Sequence, residues 1–386
     1  MIVMSSTLLP VQSSTFYAAL QQCKGLDLRD NRGKVHRVEV VLMGVLIGLY
    51  RSRDGVLSSI HRSMVNTHSQ LCSHLKIENS PPVSRAQLAV VLKNIDIGAF
   101  CELLFAFCAM VLSKEEKQWF AADGKELRGS ISKGEKRGEA VVQFVSHSSR
   151  QVHSQTFYNG CKDSERPCIQ HLLQARGLCS QKITLDALHL IPETIRQIAG
   201  GQGIYLAGLK QNQQALYDDM TTLCKTIQPV RVLREVEKGH GRIEKRTYKG
   251  YSIAGEYFDQ RWKGADFRTL IEIESTRIQA KTGTESKEVA YYISNARIKD
   301  SSDEELFKAI RGHWNIETNN HIRDVTLKED QLKTKEPIIA RTIACCRTVV
   351  LNVLNKLKLK NIKAKLETFA DNFDLLMQWL TLMNFL

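Results

Sequence analysis

The chain has no CxxC pair and no Cys/His spacing suited to zinc, although it holds ten cysteines in 386 residues. That absence argues against a zinc finger, and the scattered placement argues against a disulfide framework. Reduced, buried thiols are expected, including the adjacent Cys345 and Cys346 in an apolar helical stretch. No segment reads as long enough to cross a bilayer. Val40 to Tyr50 is too short, and Phe100 to Leu112 is interrupted by Glu102, so both read as buried helices. The opening residues, MIVMSSTLLP, lack the basic start and long apolar core of a secretion signal. No internal repeat or low-complexity linker is present. A cytoplasmic protein is expected, with neither a membrane nor a small-molecule substrate among its partners.

What is present is charge of one sign. The formal net charge is +13, on a chain whose 43% hydrophobic content supports one large or two ordinary domains. Excess Lys and Arg suit a polyanion, because neutralising phosphates releases counterions. A merely basic soluble protein would have the same composition, so patterning has to decide. Gln331 to Lys365 holds nine Lys or Arg against one acid, Glu336, and Lys225 to Lys249 holds eight against three. Such clustering predicts a nucleic-acid footprint, with part of it an ordinary solvated helix face.

Residues from about 34 to 112 read as helices, with Val38, Val41, Leu42, Val45 and Leu46 at helical spacing. Pro81, Pro82 and Ser84 mark a break and an N-cap before RAQLAVVLKNI. That helix could read DNA with Arg85 and Lys93 outward, or be a plain packing helix. From Gln118 the pattern becomes strand-like. WFAADGKEL, AVVQFVSHSS and QVHSQTFYN follow in succession, then helix and strand alternate as far as GIYLAGL. This predicts a mixed α/β sheet. A β-rich segment follows from Val230 to Ser294, and the chain is helical again after Ser302. Residues 1 to about 15 are expected to be loose.

Three acidic residues stand in distinctive settings. Asp123 lies in FAADGKELRGS, Asp186 ends the apolar run KITLDALH, and Glu317 lies in the helical stretch IRGHWNIETNNHIRDVTLKED. Two carboxylates at strand ends and one from a later helix suit a pair of hard cations cutting a phosphodiester. An Asp after a strand is more often a cap or turn residue, so placement alone leaves both readings open.

ADGKELRGS, KDSERP, ITLDALH, GIYLAGLKQNQ, HGRIEKRTY, YYISN and HWNIETNNHIRDVTLKED occur in that order. Together they resemble the DDE insertion-sequence transposases, in particular the H-repeat-associated branch (the insertion-sequence As family), from about Leu26 almost to the C-terminus. The resemblance implies a ribonuclease-H-like catalytic core at 114–386 with a β-rich insertion at about 228–297. Before it would stand a tail at 1–33 and an all-helical, DNA-end-binding domain at 34–113. It implies Asp123, Asp186 and Glu317 as the catalytic residues, holding Mg²⁺ or Mn²⁺, two ions in all. It implies double-stranded DNA as partner, both element ends and target, a homodimer at the synapse, and a bacterial, nucleoid-associated location. The chain departs from the family pattern at Thr318 to Ile322, where only His321 matches, at Leu327, and at Leu190 and Ile191.

Around the acids, several residues read as DNA contacts, each beside a structural alternative. Lys125 and Arg128 could bind the scissile strand or be solvated loop residues. Lys210 and Asn212 follow a strand at the sheet end expected for Asp186, where a Lys could hold a phosphate. Arg242, in the turn-like HGRIE, could touch a backbone phosphate or make a hairpin salt bridge. Trp314 could stack on an unpaired base, although a helical Trp more commonly enters the core. Asp324, seven residues beyond Glu317, returns to nearly the same helix face and could support the site or serve the surface. His189 has no second His at ligand spacing and is not assigned to metal. A DNA-binding protein that has lost catalysis, or a metal-dependent nuclease without strand transfer, are the alternative functions.

Overall fold

The structure is a computed structural model that describes residues 15–78, 80–108, 112–239, 241–253, 259–299 and 304–386. The expected loose start lies almost wholly outside the described residues. Residues 16–33, expected to be tail, are built into the fold. Helix α1 (Phe16–Gln22) is capped by Thr15, and the N–H groups of Phe16 and Tyr17 donate to the carbonyls of Asn384 and Phe385.

The N-terminal helices are α2 (Val38–Arg51), α3 (Leu57–Leu75), α4 (Arg85–Lys93) and α5 (Ile97–Cys108). α2 is buried along nearly its whole length, as its near-continuous apolar sequence requires. α4 begins where the prolines and Ser84 predict, with Ser84 Oγ accepting from Gln87 N. It buries Leu88, Val91 and Leu92 and leaves Arg85 and Lys93 exposed.

The sheet opens with β1 (Trp119–Glu126), β2 (Ala140–Ser146) and β3 (Val152–Tyr158) as antiparallel neighbours. Helix α6 (Lys162–Ala175) leads to β4 (Lys182–Leu185), and α7 (Pro192–Gly200), with proline in its first turn, leads to β5 (Ile204–Leu209). β4 runs parallel to both β1 and β5. After α8 (Gln214–Thr226) come β6 (Arg231–Gly239), β7 (Arg242–Ser252), β8 (Thr269–Gln279) and β9 (Glu285–Ser294). The nine strands form one sheet in the order β3-β2-β1-β4-β5-β9-β8-β7-β6. The β-rich segment is therefore an extension of the core sheet, joined to it by antiparallel pairing of β9 with β5.

Alternation along β1 sends Phe120 and Ala122 to one face and Ala121 to the other. The first face is covered by α6 and α7 through Ile169, Leu172, Leu173, Ile195 and Ile198. The second is covered by α9 (Glu305–His321). Its first turns bury Leu306, Phe307 and Ile310 against Tyr248, Ile271 and Ile273, and its later Ile316 meets Ala121, Val145 and Val152.

Helices α10 (Pro337–Lys356), α11 (Ile362–Asp371) and α12 (Phe373–Leu382) share one hydrophobic core with α1 to α5. By length and composition α10 could cross a membrane, contrary to the expectation that no segment could. Burial inside protein accounts for its apolar sequence. Arg347 is fully buried there and donates to the Gly55 carbonyl, and Asn352 bonds both backbone groups of Val152 on β3. All ten cysteines are free thiols.

Candidate active site

Ala122 pairs with Leu185, the last residue of β4, so Asp186 follows a strand end, whereas Asp123, expected at one too, lies within β1 just past the β1–β4 ladder and still pairs with Gln143 of β2. Asp186 leaves β4 and caps a 3₁₀ turn, its Oδ1 accepting from Leu188 N at 2.9 Å. The cap expected of such an Asp is thus real, and the side chain remains half exposed.

α9 brings its polar stripe over these ends. His313, Glu317 and Asn320 are spaced to share one helix face. His313 Nδ1 lies 2.9 Å from Thr184 Oγ1 on β4, and Asn320 Nδ2 lies 3.5 Å from Asp123 Oδ2. Glu317 stands between them, exposed; the Tyr292 phenol on β9 is raised by burial, then by Glu288, and least by Glu317. Tyr292 pairs with Gly208 of β5, whose Cα faces the Asp186–Ala187 peptide. Asp123, Asp186 and the Glu317 face of α9 therefore meet at one sheet edge. As placed, no three His, Cys, Asp or Glu side chains among the described residues stand close enough to hold one ion.

The electrostatics are those of crowded acids. Burial lifts the Asp123 carboxyl to about 7, with Asp186 and then Glu165 adding to the rise. The Gly124 N–H and His189 oppose it. Burial lowers His313 to about 4, against the pull of Asp186, so this ring is neutral near neutral pH. Hard oxygen donors whose mutual repulsion a cation would relieve are a set that fits Mg²⁺ or Mn²⁺.

Glu165 is the acid that sequence reasoning missed. It lies on α6, in the KDSERP motif, and is buried. Its Oε2 accepts from the Tyr158 hydroxyl at 2.7 Å, and its Oε1 lies 3.0 Å from His189 Nε2. The motif pointed to the segment, but nothing local distinguished this acid from an ordinary helix residue.

The other candidate residues are dispersed. Lys125 is buried, with Nζ 2.6 Å from Asp324 Oδ1 and 3.8 Å from Glu329 Oε2, and is not a solvated loop residue. Asp324 sits in a π-helical turn, Ile322–Thr326, and is committed to that ion pair. Arg128 is exposed on a short turn after β1. Lys210 is exposed after β5, on a cavity of about 270 Å³ lined also by Tyr217, Tyr291 and Tyr292. Asn212 braces the Asp186 turn, donating to the Ala187 carbonyl at 2.7 Å.

Arg242 pairs with Glu244 at 2.7 Å, as the hairpin alternative expected; its turn neighbour His240 lies outside the described residues. Trp314 is 47% exposed beside the Arg311 guanidinium, so the common fate of a helical Trp does not apply. The basic clusters are partly consumed by pairing. Lys249 bridges Glu272 and Glu274, Arg246 meets Glu237 and Glu244, and Arg341 meets Glu139. Lys356, Lys358 and Lys360 remain exposed.

The chain is similar to known transposases. A family model described as "Transposase DDE domain" matches residues 114–353. "Putative transposase YncI" of Escherichia coli O157:H7 is 28% identical over 293 residues, 73% of each chain. The "H repeat-associated putative transposase YhhI" of Escherichia coli K12 is 28% identical over 285 residues, 72% of this chain and 74% of the relative. A piggyBac transposase solved as a synaptic complex with hairpin DNA superposes with a TM-score of 0.47 at 9% identity, covering 95% of this chain and 77% of the other. With more than half of its length inside the family model, the chain belongs to the transposase DDE domain family.

Proposed function

We propose that this protein is a transposase that binds the ends of its own mobile element, cuts the DNA there with divalent metal, and joins the freed 3′-hydroxyl to target DNA. The observation that carries this reading is the meeting of Asp123, Asp186 and the Glu317 face of α9 at one sheet edge. Asp123, Asp186 and Glu317 would hold two Mg²⁺ or Mn²⁺ ions. Bound there, the ions would supply the charge that activates an attacking oxygen and stabilises a leaving one. The chain's own residues do the rest. The rigid β1–β4 pairing fixes two acids relative to each other. Neutral His313 adds no positive charge that would compete with the ions for the acids. Lys210 and Arg128, exposed near the same edge, are placed to take backbone phosphates.

Because water and the 3′-hydroxyl are the nucleophiles, no covalent protein–DNA bond is required. Two element ends cut together call for a homodimer on DNA. The test is nicking of element-end DNA by purified protein with and without Mg²⁺, followed by joining of cut ends to a target plasmid. Mg²⁺-dependent nicking with joining is expected. DNA binding without nicking would leave a protein that has lost catalysis, and nicking without joining would leave a nuclease.

A further inference from the structure

The β1–β2 hairpin overhangs the edge where the acids lie. The β1–β4 ladder stops at Ala122, but β1 stays paired with β2 from Asp123 to Glu126, a projection of about 13 Å. The loop beyond it, RGSISKGEKRG at 128–138, is fastened at its neck. Ser130 Oγ donates to the Leu127 carbonyl at 2.7 Å and accepts from Glu139 N at 2.8 Å. Gly129 docks the loop on the chain that follows α9. A Cβ there would run into the Leu332 carbonyl, and Thr334 N donates to the Gly129 carbonyl at 3.2 Å. Lys133 and Lys136 of the loop, and Lys333 and Lys335 on either side of Thr334, are exposed. Glu135 and Glu336 are the acids beside them in sequence, yet no ion pair or hydrogen bond engages the four lysines among the described residues. Lys249 and Arg246 of the same sheet, by comparison, are held by carboxylates.

We propose that this two-segment ridge seats the target duplex during strand transfer. The inference rests on the transposase reading above. An ammonium is a compact point charge that suits phosphate, and a duplex presents one such charge per about 1.7 Å of its axis. The loop has no Asn, Gln or aromatic side chain to hydrogen-bond or stack on a base. Phosphate contacts position DNA without reading its sequence, which suits DNA that is joined rather than DNA that has to be recognised. A loop that only kept the protein soluble would need neither the Ser130 neck nor the docking on Leu332 and Thr334. Both hold like charges on one scaffold against their repulsion.

The test gives full-length protein pre-cut element ends with a free 3′-hydroxyl and a plasmid lacking element sequence. Joining is followed against plasmid concentration and salt. With Lys133, Lys136, Lys333 and Lys335 all changed to Gln, half-maximal joining should need at least about tenfold more plasmid, with the maximal rate kept. At limiting plasmid, the slope of log joining rate against log salt should flatten by up to about 3.6. Nicking of uncut element ends in Mg²⁺ should fall far less than joining. Changing the same four residues to Arg should keep wild-type joining. An unchanged plasmid dependence overturns the proposal. So does an equal loss of nicking and joining, which would put the element end on this ridge.

Should the Gln variant fail to fold, lysine acetylation of the wild type decides. Plasmid added to the end-loaded protein should protect Lys133, Lys136, Lys333 and Lys335, and element ends alone should not. Lysines left unprotected by plasmid overturn the proposal. Wild-type protein that neither nicks nor joins would defeat the transposase reading itself. Wild type and variant that join equally well defeat only the ridge.

Discussion

Lys125, two residues after Asp123, holds its ammonium 2.6 Å from the carboxylate of Asp324, seven residues after Glu317. The pair clips β1 to the turn that ends α9, and so ties the strand of the first acid to the helix of the third. Lys125 is buried and Asp324 partly exposed. Removing one partner of a fully buried pair costs about 3–5 kcal/mol, so Lys125→Met should cost less, about 2–3 kcal/mol by urea denaturation. A double-mutant cycle with Asp324→Asn should return a coupling of at least about 0.5 kcal/mol. The folded Lys125→Met protein should keep the wild-type salt dependence of DNA binding, because this ammonium faces protein.

Asp123 makes stability depend on pH and on metal together. Its folded-state pKa, about 7, lies above the ordinary 3.8. Between those values the folded protein holds a proton that the unfolded chain has lost. The stability from this group is therefore fully present below about pH 3.8 and lost as pH rises through about 7. His147 and His313, whose pKa values are lowered to about 3 and about 4, act in the opposite sense below about 6.5. They are common to wild type and Asp123→Asn, so the difference between the two proteins isolates Asp123. In EDTA the variant should gain on wild type in melting temperature from pH 5 to pH 8. Mg²⁺ should stabilise wild type more at pH 8 than at pH 5.

Asp186→Asn separates binding from chemistry. The amide keeps the size and can still cap Leu188 N, but loses the charge that holds a hard cation. Element-end DNA should bind as tightly or more tightly in a mobility-shift assay, because a negative charge facing phosphate has gone. Nicking in Mg²⁺ should fall at least a hundredfold. Wild-type nicking by this variant would remove Asp186 from the mechanism.

Much of this site was legible in the chain, and the exceptions share a cause. Asp123 and Asp186 each end a short apolar run, and strand pairing needs only local pattern to form such runs. Glu317 was found through its motif, since an exposed helix acid carries no local mark. Lys125 read as a loop cation because its partner is 199 residues away. Asp324 read as sharing the face of Glu317 because seven residues span two α-helical turns, but the π-helical turn at Ile322–Thr326 shifts that phase. Glu165 was missed because the tyrosine and histidine it meets lie on two other segments. The strands β6 to β9 lie in the segment that read as β-rich, while their continuity with the core sheet depends on β5–β9 pairing that neither strand announces alone.

The same reasoning moves the expected DNA footprint. Lys356, Lys358 and Lys360 alternate with Leu357 and Leu359, which suggested the exposed face of a helix. Instead α10 ends at Lys356, and Lys358 takes a left-handed backbone conformation in the turn leading to α11. The three side chains are exposed, and no ion pair engages them among the described residues. The cations of the β insertion are partly spent on carboxylates, Lys249 on Glu272 and Glu274 of the neighbouring strand and Arg242 on Glu244 of its own. Each phosphate neutralised adds about 0.9 to the slope of log affinity against log salt. Changing all three lysines to Gln should therefore flatten the slope by up to about 2.7. The fold should be unaffected, since no hydrogen bond or apolar contact of the core is lost. Circular dichroism checks the fold, and binding of one DNA at several salt concentrations checks the slope. An unchanged slope would assign this turn to solubility alone and shift the footprint to the β insertion or to the N-terminal module, where Arg85 and Lys93 of α4 are exposed.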